Sequence, residues 1–166
     1  IVLNNLKITE NQACLSYNEY ATCISQGGGG GIYIQDWLDA DAQVTLNNCE
    51  VSYNAAGEMP ETPATYTVGA GGGIYHSGNN ENSTLIIEDS QIMFNNANEN
   101  GAGIFSYGSF DLYIENSSIN NNRLDLYPDF EESSLRSGAG IFHFGSIIAE
   151  NSKFFSNWNS GIVGLG

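Results

Sequence analysis

The stretch that decides the fold is LIIEDSQIMFN, residues 85–95, because it is one of five copies that align without a gap. Internal repeats of this kind indicate an array in which each repeat forms one structural unit. The copies differ in their letters but share the order of apolar, polar and asparagine positions. The other four copies are IVLNNLKITEN (residues 1–11), VTLNNCEVSYN (44–54), LYIENSSINNN (112–122) and IIAENSKFFSN (147–157).

A glycine block alternates with the eleven-residue block. It reads GGGIY at residues 29–33 and 71–75, GAGIF at 101–105 and 138–142, and a shorter GIV at 161–163. Its isoleucines form one column of the alignment and predict a third short strand in each repeat. They are Ile32, Ile74, Ile104, Ile141 and Ile162.

The columns of the eleven-residue block each predict a local structure. The first and third columns are apolar, as Leu85 and Ile87 illustrate, and this spacing is typical of a strand with one buried face. The fifth column is Asn or Asp, which suits a bend, and the apolar eighth column predicts a second inward strand. The eleventh column is asparagine in every copy and predicts a ladder of stacked amides. Its members are Asn11, Asn54, Asn95, Asn122 and Asn157.

Three short strands per repeat, separated by bends, predict an all-β fold: a single-stranded parallel β-helix, a solenoid of about five coils. We expect residues 1–166 to form one domain that is uncapped at both ends. The insertions at residues 12–28, 34–43, 55–70 and 123–137 are expected to be loops at the corners. A β-sandwich would require five gap-free copies by coincidence. A left-handed hexapeptide helix would require a strict six-residue period, which the sequence lacks.

The composition excludes several classes of partner. Four Lys and Arg against 19 Asp and Glu give a formal charge of −15, which disfavours nucleic acid and anionic membranes. No apolar run approaches the roughly 18 residues that a membrane helix needs, so we expect no membrane insertion. A hydrophobic share of 41% argues against disorder.

The sequence offers no candidate for catalysis and favours no cofactor. Carbohydrate-cleaving sites need clustered carboxylates, and the outward column of the second strand holds one: Glu50, Gln91, Ser118 and Lys153. The acidic loop at residues 36–41 could hold Ca²⁺, but a solvated loop is the favoured interpretation. The same applies to Asp125, Asp129, Glu131 and Glu132. His76 and His143 stand two repeats apart, which favours surface histidines over a metal pair.

Cysteines and sequons suggest two kinds of covalent modification. Cys14 and Cys23 share one insertion and are expected to form a disulfide, whereas Cys49 falls in a column that predicts a buried thiol. Asn82 begins a sequon in a polar insertion and is the better candidate for N-glycosylation. Asn116 begins another sequon in the bend column, where stacking would compete with a glycan.

The alternation of glycine-Ile blocks with blocks that end in asparagine resembles the repeats of the chlamydial polymorphic outer-membrane proteins, whose second block reads Phe-x-x-Asn; in this chain its aromatic appears only as Phe154. The resemblance covers nearly the whole chain apart from its insertions, although GGGI or GAGI stands here in place of GGAI. It implies a right-handed parallel β-helix and a location at the cell surface or outside the cell.

The two ends of the chain complement each other in the repeat. The chain opens at Ile1 without a Met, so we expect a processed or excised segment. Joining the last strand to the first gives a spacing of five residues from Ile162 to Ile1, against six from Ile141 to Ile147. We therefore expect a structural fibre that grows from head-to-tail copies. The alternatives are an adhesin or autotransporter passenger segment of a longer chain and, third, a carbohydrate-active enzyme.

The expected partners are copies of the chain itself, with glycans as a further candidate. The residues expected at the junction between copies come from both ends of the chain. They are Ile1, Val2, Leu3, Ile8, Asn11, Gly161, Ile162, Val163 and Leu165.

Overall fold

The structure is a computed structural model, and it describes residues 1–13, 27–36, 43–57, 69–78, 82–108, 111–124, 138–158 and 162–164. Several predicted features lie outside the described residues. These are the disulfide between Cys14 and Cys23, junction residues Gly161 and Leu165, and the acidic stretches 37–42 and 125–137.

The described residues form short β-strands and no helix. In the first half of the chain the strands are β1 (Val2–Asn4), β2 (Lys7–Thr9), β3 (Gln12–Ala13), β4 (Gly27–Gly28), β5 (Ile32–Asp36), β6 (Gln43–Asn47), β7 (Glu50–Ser52), β8 (Ala55–Ala56), β9 (Gly69–Ala70) and β10 (Ile74–Gly78). In the second half they are β11 (Thr84–Glu88), β12 (Gln91–Met93), β13 (Asn96–Ala97), β14 (Ile104–Tyr107), β15 (Asp111–Glu115), β16 (Ser118–Asn120), β17 (Arg123–Leu124), β18 (Ile141–His143), β19 (Ile147–Glu150), β20 (Lys153–Phe155) and β21 (Ile162–Gly164).

Every strand pairs in parallel with the equivalent strand of the neighbouring repeat. The first sheet has the order β1-β6-β11-β15-β19, the second β2-β7-β12-β16-β20, and the third β5-β10-β14-β18-β21. The register follows the gap-free alignment, since Ile87 pairs with Leu46 on one side and Ile114 on the other. We call the strands of one repeat a layer, so that layer 1 holds β1, β2, β3 and β5, and layer 5 holds β19, β20 and β21. These stacked parallel sheets are compatible with a β-helix.

The predicted insertions begin or end as strands. A short fourth sheet, β3-β8-β13-β17, follows the asparagine column, and β4 pairs with β9 before the glycine block. A parallel bridge between Arg123 and Trp158 extends the fourth sheet into layer 5. The prediction of three strands per repeat therefore missed a fourth, because two-residue strands are too short to show an apolar period.

The core lies between the sheets, where the inward columns meet. Leu46, Ile87 and Ile114 of the first sheet pack with Ile92 of the second and Ile104 of the third, and each is at most 1% exposed. Burying one such side chain contributes about 1.5–3 kcal/mol relative to leaving it exposed. Equivalent residues of the end layers, such as Leu3 and Ile147, are only partly buried.

Two columns place side-chain-bearing residues at positive φ. The predicted bend column does so with Asn or Asp, as at Asn48 (φ 52°) and Asp89 (φ 48°). The tenth column also does so, with residues of which Asn121 alone gives such an indication in sequence: Glu10, Tyr53, Phe94, Asn121 and Ser156. Left-handed backbone disfavours bulky side chains, so the repeated packing of the layers determines the conformation of this second bend.

The histidine prediction was wrong, because both rings are fully buried. His76 and His143 are 0% exposed and share a column with Ser106, which lies between them. Their strands alternate inward and outward, so that Ile74 and His76 point inward while Tyr75 lies between them. The inward direction of His76 follows from its being two residues beyond a core isoleucine.

Candidate functional site

The asparagine column forms a continuous hydrogen-bonded ladder through all five layers. The Oδ1 atom of Asn95 accepts hydrogen bonds from the backbone N–H and the Nδ2 amide of Asn54, both at 3.0 Å. Its own Nδ2 donates to the Val51 carbonyl at 2.9 Å and to Asn122 Oδ1 at 3.0 Å. The same pattern joins Asn11 to Asn54 and Asn122 to Asn157. A primary amide suits this position because it both donates and accepts.

The glycine block leaves room for this ladder. Gly73 and Gly103 lie beside Asn95 and Asn122, so that a Cβ at either glycine would come within 2.9 Å of the Nδ2 atom. The first glycine of the block has positive φ, for example 68° at Gly71. The glycine and asparagine motifs are therefore two sides of one packing arrangement.

The ladder has a direction. Each asparagine donates to the asparagine of the following layer, so Asn157 Oδ1 accepts from Asn122, and Asn157 Nδ2 donates back to the Ile119 carbonyl. Among the described residues, no acceptor is bonded to the Asn157 N–H and no donor is bonded to Asn11 Oδ1. One end of the column therefore presents donors and the other presents an acceptor.

A second ladder runs through the sixth column, which sequence reasoning treated only as a tight inward position. The Cys49 N–H donates to Ser90 Oγ at 2.9 Å, the Ser90 N–H to Ser117 Oγ at 3.0 Å, and the Ser117 N–H to Ser152 Oγ at 3.1 Å. Cys49 is a free thiol that is 3% exposed and lies 3.3 Å from the Leu3 carbonyl, as predicted for a buried thiol. The serines in three of five copies could have revealed this ladder.

The strands of layers 1 and 5 have a paired neighbour on one side only within the described part of the chain. Ile1 and Val2 are 81% and 61% exposed, and Trp158 at the opposite end is 67% exposed. Of the other predicted junction residues, Leu3 and Ile8 are partly buried, while Ile162 and Val163 pair with Ile141 and Phe142. The structure thus places the described junction residues on two opposite end layers.

Aromatic rings stack along the outer side of the third sheet. Tyr33, Tyr75, Phe105 and Phe142 lie with successive ring centroids 5.1, 5.0 and 5.4 Å apart. Burial, more than the neighbouring tyrosines, raises the pKa of Tyr75 above its usual value. Within the described residues the stack ends in layer 1 at Tyr33, which is half exposed.

The outer face of the first sheet carries a row of carboxylates that sequence reasoning missed. Glu88, Glu115 and Glu150 occupy one column in three successive layers, and their strands pair residue for residue. We call these three residues the glutamate row. They border a groove of about 440 Å³ that is also lined by Ile86, Tyr113 and Ile148. The signal that would have revealed the row is the fourth column of the alignment, which lies on the first strand, whereas the carboxylates compared in the sequence lie on the second strand.

The remaining predicted sites are dispersed. The one ion pair among the described residues joins Lys7 to Glu50 at 3.0 Å, and a hydrogen bond from Ser52, followed by the contact with Lys7, lowers the pKa of Glu50. Asn82 and Asn116 are both exposed, and Asn116 contacts the neighbouring Glu115 at 3.4 Å. No group of His, Cys, Asp or Glu in the described ranges is arranged to hold a metal ion. None of the described segments forms a helix that could cross a membrane.

Comparison with known proteins identifies no relative. No family model matches the chain, and neither a curated protein nor a solved structure matches it.

Proposed function

We propose that the protein is a structural, non-catalytic subunit of a fibre. In this proposal the chain winds as a right-handed parallel β-helix of five coils, one per layer. Layer 5 of one copy adjoins layer 1 of the next copy. The in-register parallel pairing of every sheet supports the winding, and crossovers between parallel strands are almost always right-handed. The resemblance to surface repeats supports a location at the cell surface or outside the cell.

The observation that carries the proposal is the polarity of the asparagine column. Asn157 presents donors where Asn11 of a second copy would present an unoccupied acceptor. Head-to-tail stacking would therefore continue the ladder with the same bonds that join Asn54 to Asn95. Head-to-head stacking would place two acceptors against each other and is disfavoured.

The backbone edges of layers 1 and 5 also present groups that head-to-tail stacking would pair. In the first sheet the Thr45 N–H donates to the Ile1 carbonyl of layer 1, so Val2, which shares its column, directs its N–H away from layer 2. In the third sheet Ile32, Ile74 and Ile104 donate towards the following layer. Ile162 shares that column and directs its N–H outward. Both edges would pair if layer 1 of one copy followed layer 5 of another.

A second candidate is a passenger or adhesin segment of a longer polypeptide, in which further coils of the same chain cover both ends. One observation favours it: stacking of copies would bring Lys153 beside Lys7 of the next copy, about 4.7–4.9 Å away. Repulsion between exposed like charges costs roughly 0.2–1 kcal/mol. Each backbone hydrogen bond gained contributes about 0.5–1.5 kcal/mol. Several such bonds per sheet outweigh one lysine pair, so we favour the fibre.

A carbohydrate-active enzyme remains third. The glutamate row supplies three carboxylates, but a glycosidase places its two carboxyl groups on either side of the scissile bond. Glu88, Glu115 and Glu150 stand side by side in one column on one flank of the groove, which does not favour that arrangement.

Substitution of Val2 provides a direct test. Val2→Pro removes an N–H that faces away from the chain's own layers, and an edge strand tolerates proline there. Val2→Thr is the matched control, because Thr45 occupies the same column. We expect Val2→Thr to form fibres in electron micrographs, with an axial repeat of about 24 Å from five strand spacings. Val2→Pro should sediment as a folded single chain.

Three results would contradict the fibre. Wild-type chain that stays monomeric at high concentration would do so, as would fibres with an unrelated axial repeat, or fibres that Val2→Pro forms equally well. A natural polypeptide much larger than 17.9 kDa would favour the passenger segment. The corresponding proline substitution at the other end, Val163→Pro, would not test the junction. The column of Val163 directs its N–H towards β18 of the same chain.

A further inference from the structure

The groove on the outer face of the first sheet has the properties of a docking surface. Its floor is the apolar column Ile86, Tyr113 and Ile148, and one flank is the glutamate row. We propose that this groove binds a basic amphipathic helix of a partner protein, laid along the axis on which the layers stack. The site includes Ile148 and Glu150 of layer 5, so it is open at that edge in a single chain and would adjoin layer 1 of the next copy in a fibre.

The charge of the groove has no cationic partner within the described residues, although the Asn116 amide donates to Glu115 at 3.4 Å. The ion pair between Lys7 and Glu50 involves the second sheet, and no cation contacts the glutamate row. Like charges directly opposite each other on neighbouring strands destabilise a sheet. A ligand that brings positive charge to the row would relieve this repulsion, so the charge complementarity favours a cationic occupant.

A second copy of the chain cannot supply those cations. The chain has four basic residues, Lys7, Arg123, Arg136 and Lys153, and no two of them lie within one helical turn of each other. A row of three carboxylates calls for three cations at matching intervals, and no segment of this chain carries three basic residues so spaced.

The spacing of the row suits a helix. Carboxylates on neighbouring strands repeat at about 4.7–4.9 Å, and side chains one turn apart on a helix repeat at about 5.4 Å. Across the two steps from Glu88 to Glu150 the mismatch is roughly 1 Å, which flexible lysine side chains absorb. The same helix would direct its apolar stripe at Ile148, which is 42% exposed, and at Tyr113.

The test is a binding titration with a labelled synthetic helix. The peptide carries lysines one turn apart beside an apolar stripe, and a scrambled peptide of identical composition serves as its control. We expect the patterned peptide to bind at least ten-fold more tightly than the scrambled one. Glu115→Gln should weaken binding about three-fold, as should higher ionic strength. Asp89→Asn removes the same charge beside the groove, in a column where Asn is native, and should have a smaller effect.

A second pair of variants tests the apolar floor. At concentrations where the chain is single, Ile148→Thr should weaken peptide binding several-fold, whereas Val2→Thr makes a similar change in the same column four layers away and should not. Equal affinity for both peptides would overturn the proposal, as would equal losses from Glu115→Gln and Asp89→Asn. Displacement of the peptide by micromolar Ca²⁺ or spermine would overturn it in favour of a simple counterion site.

The titration tests the groove separately from assembly when it is made with the Val2→Pro chain, which should stay single and whose substitution lies outside the groove lining. Peptide binding without fibres would refute the fibre alone, and fibres without patterned binding would refute the docking surface alone.

Discussion

The asparagine column and the glutamate row are both stacks of one residue type in neighbouring layers, yet their energetics are opposite. Asn95 is fully buried, and its amide donates and accepts along the stack. Glu115 faces solvent, and an ionised carboxylate can only accept hydrogen bonds. Stacked identical side chains therefore stabilise the core when they can hydrogen-bond to one another, as the amides do. When they repel one another, as the carboxylates do, a cationic partner would stabilise them.

The largest effect is expected from placing a carboxylate, the group of the exposed glutamate row, in the buried asparagine column. Asn95→Asp keeps the shape but removes the donors to the Val51 carbonyl and Asn122, and it buries a carboxyl group. Unsatisfied buried groups cost about 1–3 kcal/mol each, so chemical denaturation at pH 7 should show a loss of about 3 kcal/mol or more. Asn116→Asp in the exposed bend column, where Asp89 is native, is the control; it loses the contact with Glu115 and adds an exposed like charge, so it should cost less than about 1 kcal/mol.

The pH dependence of Asn95→Asp sharpens this comparison. Burial raises the pKa of the introduced carboxyl in the folded state above its unfolded value. The folded variant therefore binds a proton more tightly than the unfolded chain, so its stability relative to wild type should be greatest in acid. That relative stability should fall as the pH rises towards neutrality. A pH-independent difference would show that lost packing, not charge, is responsible.

The next effect concerns charge stacking at the junction. Lys153→Glu would place a carboxylate beside Lys7 of the next copy, as Glu50 lies beside Lys7 within the chain. Fibres should then form at up to about five-fold lower concentration at low salt. Without this contact, adding negative charge to a chain of net charge −15 would oppose association. Weaker assembly of Lys153→Glu, measured by sedimentation, would therefore contradict head-to-tail stacking.

A smaller effect is expected from neutralising the centre of the glutamate row. Glu115→Gln removes repulsion from Glu88 and Glu150 and should stabilise the fold by a few tenths of a kcal/mol. The gain should shrink as salt is added, because the carboxylates are exposed to screening. Thermal unfolding at two ionic strengths measures this change, and destabilisation at low salt would show that the row is internally compensated.

The smallest effect is expected at Glu50, the carboxylate that does have a cation stacked on it. Its pKa is lowered first by Ser52 and then by Lys7, so its contribution is present above the unfolded pKa and is lost as the pH falls through the folded value. Lys7→Gln leaves the Ser52 hydrogen bond intact. Acid unfolding should therefore begin at only slightly higher pH, and a large shift would assign the effect to the ion pair.

The sequence predicted the regular part of the fold because the repeat aligns every inward column. Ile87, Ile92 and Ile104 are buried as their columns indicated, and the asparagines lie one above another. The positive φ of Tyr53 and Phe94 could not be predicted, since neither residue favours that conformation locally. The burial of His76 was missed because a histidine suggests a ligand, whereas its direction is determined by its position in the alternating strand.

Of the candidate sites, the ladder and the end layers were accessible from sequence, and the groove was only partly so. Glu88, Glu115 and Glu150 are visible as a column once the alignment is made. Their relation to Tyr113 and Ile148 is not visible, because it depends on which neighbouring residues share the outer face of a twisted sheet.

The direction of the hydrogen bonds has a mechanical consequence. Because they run between layers, a force that pulls the two ends of the chain apart would open one layer at a time. Consecutive asparagines of the column are 43, 41, 27 and 35 residues apart. At about 3.5 Å per extended residue, each opening would release roughly 150, 140, 95 or 120 Å of chain. A force–extension measurement on one molecule would therefore identify each layer by the length of chain that it releases.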